Sequence, residues 1–250
     1  MTADRELERA RYDARARQAS ARASSGAVHV PAALRAPYLA YERALTQLSG
    51  PGVCVLEIGA GTGEFTGAAL AKGAKVWASD ISRFSLAALE KQHGPSDRLQ
   101  TCVADMESLP FPRLSFDLVA SAGALSYGDN DRVRDEIFRV LKPGGAFVCV
   151  DSLNHNPIYR LNRWWHFRRG RRSRSTLRRM PRLSLIDSYA ARFGHADVQF
   201  FGAIAWLTPL LVRVLGESAA AAWSDRLDRF VGVRRSAFKF VMVARKTMHD

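Results

Sequence analysis

Glycines and carboxylates stand where apolar runs of this chain end, a placement suited to holding a polar small molecule. Glycines occupy alternate positions of residues 59–63, directly after an apolar run. Glycine lets the backbone approach a ligand closely and adopt dihedral angles closed to other residues. Asp80 follows the second apolar run, and Asp105 follows the third. The pattern predicts a ligand held by a backbone turn and two carboxylates.

The spacing within the turn narrows the class of ligand. A Gly-x-Gly-x-Gly turn differs from the Gly-x-Gly-x-x-Gly turn of dinucleotide sites, which makes a pyrophosphate the weaker prediction. Asp80 lies 17 residues after Gly63, where a carboxylate can accept both hydroxyls of a ribose. Asp105 can form hydrogen bonds to a purine, and the apolar side chain of Met106 next to it can cover the purine ring. Each acid alone fits a helix N-cap equally well, so the combination carries the prediction.

The elements that position these residues alternate between two kinds of segment. Short apolar runs are continuous, which is typical of strands buried on both faces; they comprise residues 53–58, 75–79, 99–104, 116–121 and 146–150. Between them, apolar residues recur every three or four positions, which indicates helices with one apolar stripe at residues 65–72, 86–89 and 133–141. The alternation predicts a doubly wound α/β fold with a parallel sheet.

Five segments in order along the chain resemble class I S-adenosylmethionine-dependent methyltransferases of the type 11-like group. They are VLEIGAGTG, WASD, VADMESLPF, FDLVASAGALSYGD and EIFRVLKPGGAFVCVD. The resemblance covers about residues 37–152 and implies S-adenosyl-L-methionine as the cofactor. It also implies a Rossmann-like seven-stranded sheet with a final antiparallel hairpin, in agreement with two late apolar runs at residues 198–201 and 237–244.

The same resemblance implies a role for each strand end. Glu57, Gly59 and Gly61 would border the methionine part of the cofactor. Asp80 would hold the ribose, and Asp105 with Met106 would meet the adenine. The cofactor-binding residues implied in this way are Glu57, Gly59, Ala60, Gly61, Asp80, Ile81, Asp105, Met106 and Ser121.

Candidates for the reacting centre follow the fourth and fifth predicted strands, at residues 121–129 and 151–157. Both stretches lie at the carboxyl edge of the sheet, where open α/β folds bind ligands. Tyr127, Asp129 and His155 are the predicted catalytic residues. A hydroxyl acceptor must lose a proton, and imidazole suits that task near neutral pH, so His155 is the predicted base.

Other roles for these residues stay open. A surface histidine that caps backbone groups is the alternative for His155, and simple positioning of the reactants is the alternative to any base. Asp129, Asp151 and Asn154 offer oxygen ligands for a metal ion. Their spacing matches no recognisable metal motif, so no metal site is predicted.

Net charge is +13, and one segment carries most of it. Between Asp151 and Asp187 the chain has ten arginines and no acidic residue. Such a segment binds phosphate or another anion, lies on an anionic membrane, or remains a solvated face. Aromatic residues at 159, 164, 165 and 167 are interleaved with the arginines, and residues 158–182 are predicted to form a mobile lid over an anionic acceptor.

This segment resembles a subset of these methyltransferases associated with bacterial cell-surface polysaccharide synthesis. The resemblance implies methylation of a sugar hydroxyl on an anionic nucleotide-, lipid- or polysaccharide-linked acceptor. The alternatives are an RNA methyltransferase, whose arginines would follow a phosphate backbone, and an O- or C-methyltransferase of phenol- or quinol-like molecules. A non-enzymatic membrane-binding scaffold is a further alternative.

The organisation expected from the sequence is one domain with two additions. Residues 1–36 form an N-terminal helical or flexible segment, and residues 37–250 form a single domain with a basic acceptor-binding insertion at 154–182. The first 26 residues lack an apolar run typical of secretory signals. Three cysteines, widely spaced within apolar runs, indicate core residues in a reducing compartment. We expect a cytoplasmic protein, with peripheral contact to the inner membrane face as an alternative and no indication of its oligomeric state.

Overall fold

The computed structural model describes residues 10, 13, 35–168, 174–202, 212–214, 216, 219, 223, 226 and 233–248. These residues contain seven strands: β1 (Cys54–Ile58), β2 (Lys75–Asp80), β3 (Leu99–Val103), β4 (Phe116–Ala122), β5 (Leu141–Ser152), β6 (His195–Phe201) and β7 (Lys239–Arg245). Their α-helices are α1 (Ala36–Leu48), α2 (Thr66–Ala71), α3 (Arg83–His93), α4 (Asn130–Val140), α5 (Pro157–Arg168), α6 (Arg174–Arg179) and α7 (Leu183–Phe193).

All seven strands belong to one sheet, with the order β3-β2-β1-β4-β5-β7-β6. β1 to β5 run parallel to one another, whereas β7 runs antiparallel to both β5 and β6. This arrangement confirms the predicted doubly wound fold with a final antiparallel hairpin. Strand order reverses at β1, and Ile58 at its end is level with Ser79 and Ser121. The carboxyl ends of three central strands therefore meet at the switch point, where such sheets bind ligands.

Each face of the sheet is covered by helices that bury an apolar stripe. Tyr41 and Leu45 of α1 pack against the β-strand valines on one face. On the other face, Ile137 of α4 and Tyr189 of α7 pack over Phe147. The rings of Phe147 and Tyr189 stack with centroids 5.2 Å apart. The central strands are thus buried on both faces, as their continuous apolar runs predict.

Two strands differ from the prediction. β3 lies at the edge of the sheet and is only partly buried, with Val103 exposed, because it has a single neighbour. β5 begins at Leu141 instead of residue 146. Its register with β4 shifts between Phe116 and Leu118, so residues 142–145 form an irregularity within the strand instead of a separate turn.

Further predictions about the chain's organisation have mixed outcomes. In the part of the chain that the structure describes, the helix that precedes β1 begins at Ala36. The basic insertion contains two helices, α5 and α6, in its described residues. Most of residues 1–34, and of the stretch between β6 and β7, lies outside the described residues. The three cysteines are free thiols, and only Cys149 is fully buried, since Cys54 and Cys102 lie in partly exposed positions.

Candidate functional site

The glycine turn after β1 leaves room for a ligand. Gly61 has a φ of 57°, which L side chains rarely adopt, and a Cβ added there would meet nothing within 4 Å. Gly59 has a φ of 65°, and its Cβ would lie 2.5 Å from the Cβ of Ala124. The turn is fixed to β2 because the N–H of Ala60 donates to the carbonyl of Ser79 (3.0 Å). Close packing thus requires Gly59, whereas Gly61 keeps the ligand side of the turn open.

Asp80 joins this turn to the start of α3. Its Oδ2 accepts a hydrogen bond from the N–H of Gly61 (2.9 Å), and its Oδ1 accepts one from the N–H of Ser82 (2.8 Å). Burial raises the pKa of the Asp80 carboxyl, while the bonds from Ser82 and Gly61, and one from the backbone of Ile81, lower it. The N-cap of α3 is Ser82, whose Oγ accepts from the N–H of Ser85 (3.2 Å). The alternative that Asp80 is itself the cap is therefore wrong.

Asp13 adds a second carboxylate beside Asp80. The hydroxyl of Ser82 donates to Oδ1 of Asp13, and the charge of Asp13 contributes to the raised pKa of Asp80. No local pattern in the sequence marks Asp13, because this contact joins residues 69 positions apart. It brings Asp13 to the side of the candidate site where Asp80 lies.

Glu57 is a buried carboxyl at the end of β1. Its Oε2 accepts a hydrogen bond from the hydroxyl of Thr66 (2.6 Å). Burial raises the pKa of Glu57 to about 7, the bond from Thr66 opposes this, and the nearby charge of Asp80 adds to it. A ligand cation would favour the ionised form of Glu57, so an ammonium bound beside it would lower the pKa of its carboxyl.

Asp105 and Met106 follow β3, beside the end of β2. Oδ1 of Asp105 accepts from the N–H of Glu107 (3.0 Å), and its carbonyl accepts from the N–H of Ser108 (3.0 Å), which closes a tight turn. Met106 is half-buried, and its Sδ lies 3.4 Å from the position of a Cβ added at Gly128. The structure therefore brings all three strand ends predicted to hold the cofactor to one edge of the sheet.

Asp151 anchors the acceptor side. Its Oδ2 accepts from the N–H of Leu125 (3.0 Å), the first residue of the single-turn 3₁₀ helix Leu125–Tyr127. Burial raises the pKa of Asp151, and the charges of Lys239 and Arg163 oppose that effect. The sequence pointed to Asp151 only as a metal ligand. Its signal was an acid at the end of a buried strand, and in the structure that acid fixes the turn carrying Tyr127.

The other residues predicted near the reacting atoms take different positions. Asp129 is the N-cap of α4, where its Oδ1 accepts from the N–H groups of Asp131 and Arg132 (both 3.2 Å). Tyr127 is half-buried in the 3₁₀ helix. Ser121 is fully buried, and its Oγ has no hydrogen-bond partner in the part of the chain that the structure describes. Those residues also hold no group of three metal-ligating side chains.

His155 is exposed between two buried asparagines that hold its turn in place. The N–H of Asn154 donates to the carbonyl of Pro181 (2.8 Å). Asn156 donates from Nδ2 to the carbonyl of Ser236 (3.1 Å) and accepts at Oδ1 from the N–H of Ile158 (2.9 Å). The imidazole therefore stands on a fixed backbone at the carboxyl edge of the sheet.

The basic insertion is docked against this edge. α6 contacts the 3₁₀ helix, and Asn130 Nδ2 donates to the carbonyl of Arg179 (2.7 Å). Thr176 and Met180 are buried. Tyr159, expected to cover the acceptor, is instead buried in the body of the domain, where its hydroxyl donates to the carbonyl of Gly202 (2.8 Å). This part of the lid prediction is wrong, because Tyr159 supports the insertion from beneath.

A comparison with known protein families identifies the type of domain that carries this edge of the sheet. Residues 56–149 match the family described as a methyltransferase domain. Residues 56–149 thus form a methyltransferase domain.

Related proteins with assigned functions share this domain. The chain is 36% identical over 124 residues to a demethylmenaquinone methyltransferase of Clavibacter sepedonicus, covering 49% of this chain and 50% of the relative. It is 36% identical over 115 residues to the ubiquinone/menaquinone biosynthesis C-methyltransferase of Hahella chejuensis, covering 43% and 46%. The chain thus spans about half the length of these relatives.

Solved structures agree on the fold of the methyltransferase domain. A structure of a Haloferax volcanii methyltransferase in complex with the Trm112 activator has a TM-score of 0.64 at 18% identity, covering 97% of this chain and 98% of that one. A phosphoethanolamine N-methyltransferase of Haemonchus contortus has a TM-score of 0.61 at 18% identity, covering 84% and 53%. At these identities the likeness shows the shared fold.

Glu57 should make the stability of the methyltransferase domain depend on pH. Because the pKa of Glu57 is raised in the folded state from 4.5 to about 7, its protonated form is favoured there. Its contribution to stability is complete below about pH 4.5 and is lost as the pH rises towards 7. The Glu57→Gln variant mimics the protonated form, so at pH 8 it should be more stable than the wild type by up to ~3 kcal/mol.

Denaturant unfolding of both proteins between pH 5 and pH 8, without cofactor, measures this difference. At pH 5 the two stabilities should be close, and the gap should open with increasing pH. A gap that stays constant across the range would show that Glu57 titrates as an ordinary surface acid.

Proposed function

We propose that the protein transfers a methyl group from S-adenosylmethionine to a hydroxyl of an anionic acceptor, in particular a sugar linked to a nucleotide, a lipid or a polysaccharide. The observation that supports an anionic acceptor is the docking of the arginine-rich helix α6 on the 3₁₀ helix Leu125–Tyr127. This contact brings a strongly basic segment beside the residues of the acceptor side.

The residues at the carboxyl edge suit the cofactor. Gly61 leaves open space beside the turn, and Asp80 retains acceptor capacity because an ionised carboxylate offers about four lone-pair sites. Glu57 would supply negative charge once a ligand cation favours its ionised form. When bound, S-adenosylmethionine supplies a methyl group activated by the sulfonium. Asp80 would bind the ribose hydroxyls, and Asp105 and Met106 would bind the adenine. Ionised Glu57 would attract the ammonium of the methionine part.

On the acceptor side, the residues orient the hydroxyl and accept its proton. Asp151 fixes the turn that carries Tyr127, and the asparagines beside His155 fix the backbone of the turn that carries the imidazole. His155 would accept the proton of the acceptor hydroxyl as the new O–C bond forms. Much of the rate enhancement in such a displacement comes from holding the reacting atoms in line, so this rigidity matters as much as the base.

Exposed arginines should determine how the anionic acceptor binds. Arg178 and Arg182 are exposed next to the docked part of the insertion. Replacing both with Gln should raise the KM of a phosphate-bearing acceptor about tenfold, because each charge-assisted contact contributes roughly 1 kcal/mol or more. The dependence of KM on salt should flatten, while the affinity for S-adenosylmethionine should change little.

The control is the pair Lys72→Gln and Lys91→Gln, which removes the same charge from exposed positions elsewhere. Each variant is assayed with an acceptor and with its dephosphorylated counterpart. The proposal fails if the arginine and lysine variants behave alike, or if removal of the phosphate leaves KM unchanged in the wild type.

A second candidate is methylation of a quinol-like molecule. It is favoured by the two relatives named for demethylmenaquinone and for ubiquinone/menaquinone biosynthesis. Their likeness covers about half of this chain. An uncharged quinol would be methylated with no dependence on Arg178 and Arg182, so the same variants separate the two candidates.

A further inference from the structure

Helix α5 presents a row of large apolar side chains to solvent. Ile158 is 45% exposed, Leu161 66%, Trp164 45% and Trp165 51%. Their spacing of three to four residues places them on one side of the helix. Scattered exposed apolar residues are common on proteins, but a contiguous aromatic and aliphatic row marks an interaction surface.

The opposite side of α5 is fixed to the body of the domain. Tyr159 is bound through its hydroxyl to the carbonyl of Gly202, and its ring lies 4.7 Å from that of Phe238. Arg163 is buried and donates from Nη1 to the carbonyl of Leu153 (2.8 Å) and to Oδ1 of Asn154 (3.1 Å). Because these contacts fix the rotation of the helix, the apolar row faces outward as part of the folded domain.

Positive charge borders the apolar row. Arg160 and Arg168 are exposed on the same helix, and the guanidinium of Arg168 lies 4.9 Å from the ring centre of Trp164. The segment between Asp151 and Asp187 has no acidic residue that would repel an anionic surface. The patch therefore combines apolar groups with positive charge.

We propose that the exposed side of α5 docks the domain onto the surface of an anionic phospholipid bilayer. A helix that lies in the interface buries Trp and Leu among the acyl chains and keeps its arginines at the headgroups. Tryptophan suits this depth because its ring is apolar and its N–H is polar. At 12 residues the helix is roughly 18 Å long. Among the described residues, no helix is long and apolar enough to cross a membrane.

An RNA surface explains the patch less well. RNA would use the arginines and could stack on the tryptophans, but Ile158 and Leu161 give no advantage with a phosphate backbone. A bilayer uses all of these side chains at once. Because only residues 153–156 separate β5 from α5, docking also brings the acceptor edge of the sheet close to the headgroups. This inference goes beyond the proposed function, since it concerns binding and not the reaction.

Sedimentation with lipid vesicles tests the proposal on the full chain. We expect the protein to bind vesicles containing about one third phosphatidylglycerol at least about tenfold more strongly than vesicles of phosphatidylcholine alone. The double variant Trp164→Ala, Trp165→Ala should lose about tenfold or more of this partition coefficient. The variant Arg160→Gln, Arg168→Gln should lose a similar factor and show a weaker dependence on salt.

Matched controls keep the test specific. Trp223→Ala removes an exposed tryptophan elsewhere, and Lys72→Gln with Lys91→Gln removes equal charge from other helices. Both should bind vesicles like the wild type. Calorimetry with S-adenosylmethionine on every variant reports the fold and the cofactor site, so failure of the proposed function is distinguished from failure of docking.

Equal binding to both kinds of vesicle would overturn the proposal, and so would an equal loss of vesicle binding in the double tryptophan variant and in Trp223→Ala. The proposal would also fail if single-stranded RNA displaced the protein from vesicles and its binding required only the arginines. Quenching of tryptophan fluorescence by brominated lipids supplies the direct readout. Quenching that disappears in the double tryptophan variant supports insertion of α5, and unchanged quenching contradicts it.

Discussion

Replacing Asp80 with Ala should weaken the binding of S-adenosylmethionine by ~2 to 4 kcal/mol, since the carboxylate offers charge-assisted hydrogen bonds to both ribose hydroxyls. The structure adds a second reason for a large effect. Asp80 also accepts hydrogen bonds from the N–H groups of Gly61 and Ser82, so its loss releases the glycine turn that leaves space for the ligand. Isothermal titration calorimetry measures the change directly.

Two companion variants separate these contributions. Asp97→Ala removes an exposed carboxylate that precedes β3 and should leave affinity unchanged. Asp80→Asn retains one oxygen acceptor and should fall between the wild type and Asp80→Ala. If Asp80→Ala is folded, as judged by its thermal unfolding, and binds the cofactor normally, then Asp80 only organises the turn.

Replacement of His155 with Ala should lower turnover about a hundredfold if the imidazole is the base for the acceptor hydroxyl. Affinity for S-adenosylmethionine should be nearly unaffected, because the turn around His155 is held by Asn154 and Asn156. Steady-state kinetics with saturating cofactor, combined with calorimetry, measures both quantities.

His195→Ala is the matched control, because it removes an exposed histidine from β6. It should leave turnover and affinity as in the wild type. A parallel loss of turnover and cofactor affinity in His155→Ala would indicate a structural role. Unchanged turnover would move the role to Tyr127 or Asp129, or to positioning without a base.

The cofactor half of the fold could be predicted because its signals are local. β1, β2 and β4 are buried on both faces, so their apolar runs are continuous, and Gly59 directly after β1 and Asp80 at the end of β2 mark the carboxyl edge. The end of α7 is also marked by a local signal, the glycine that follows the helix. Gly194, with a φ of 89°, is its C-cap, and its N–H donates to the carbonyl of Ala190 (3.0 Å).

What the sequence did not reveal depends on contacts between distant residues. The early start of β5 is supported from β7, since Gly144 and Gly145 pair with the backbone of Lys246. The ammonium of Lys246 also donates to the carbonyls of Phe138 and Leu141 (2.9 and 3.0 Å). Periodicity within residues 141–146 cannot report a partner a hundred positions away.

The acceptor side was predicted less completely for the same reason. Asp151 was recognised as an acid at a strand end, but its bond to Leu125 arises only when β4 and β5 lie side by side. The interleaved aromatics of the insertion were expected to cover the acceptor. Helical geometry instead divides them, with Tyr159 facing the core and Trp164 and Trp165 facing solvent.

Methyl transfer from isotopically labelled S-adenosylmethionine identifies the acceptor and the methylated atom. The protein is incubated with nucleotide sugars, lipid-linked sugars, quinols and total RNA, and the products are identified by mass spectrometry. We expect label on an oxygen of a phosphate-bearing sugar acceptor, with an equal amount of S-adenosylhomocysteine, and no label with Asp80→Ala at low cofactor concentration. Label on a quinol carbon or on RNA, or the absence of transfer to any member of the panel, would contradict this expectation.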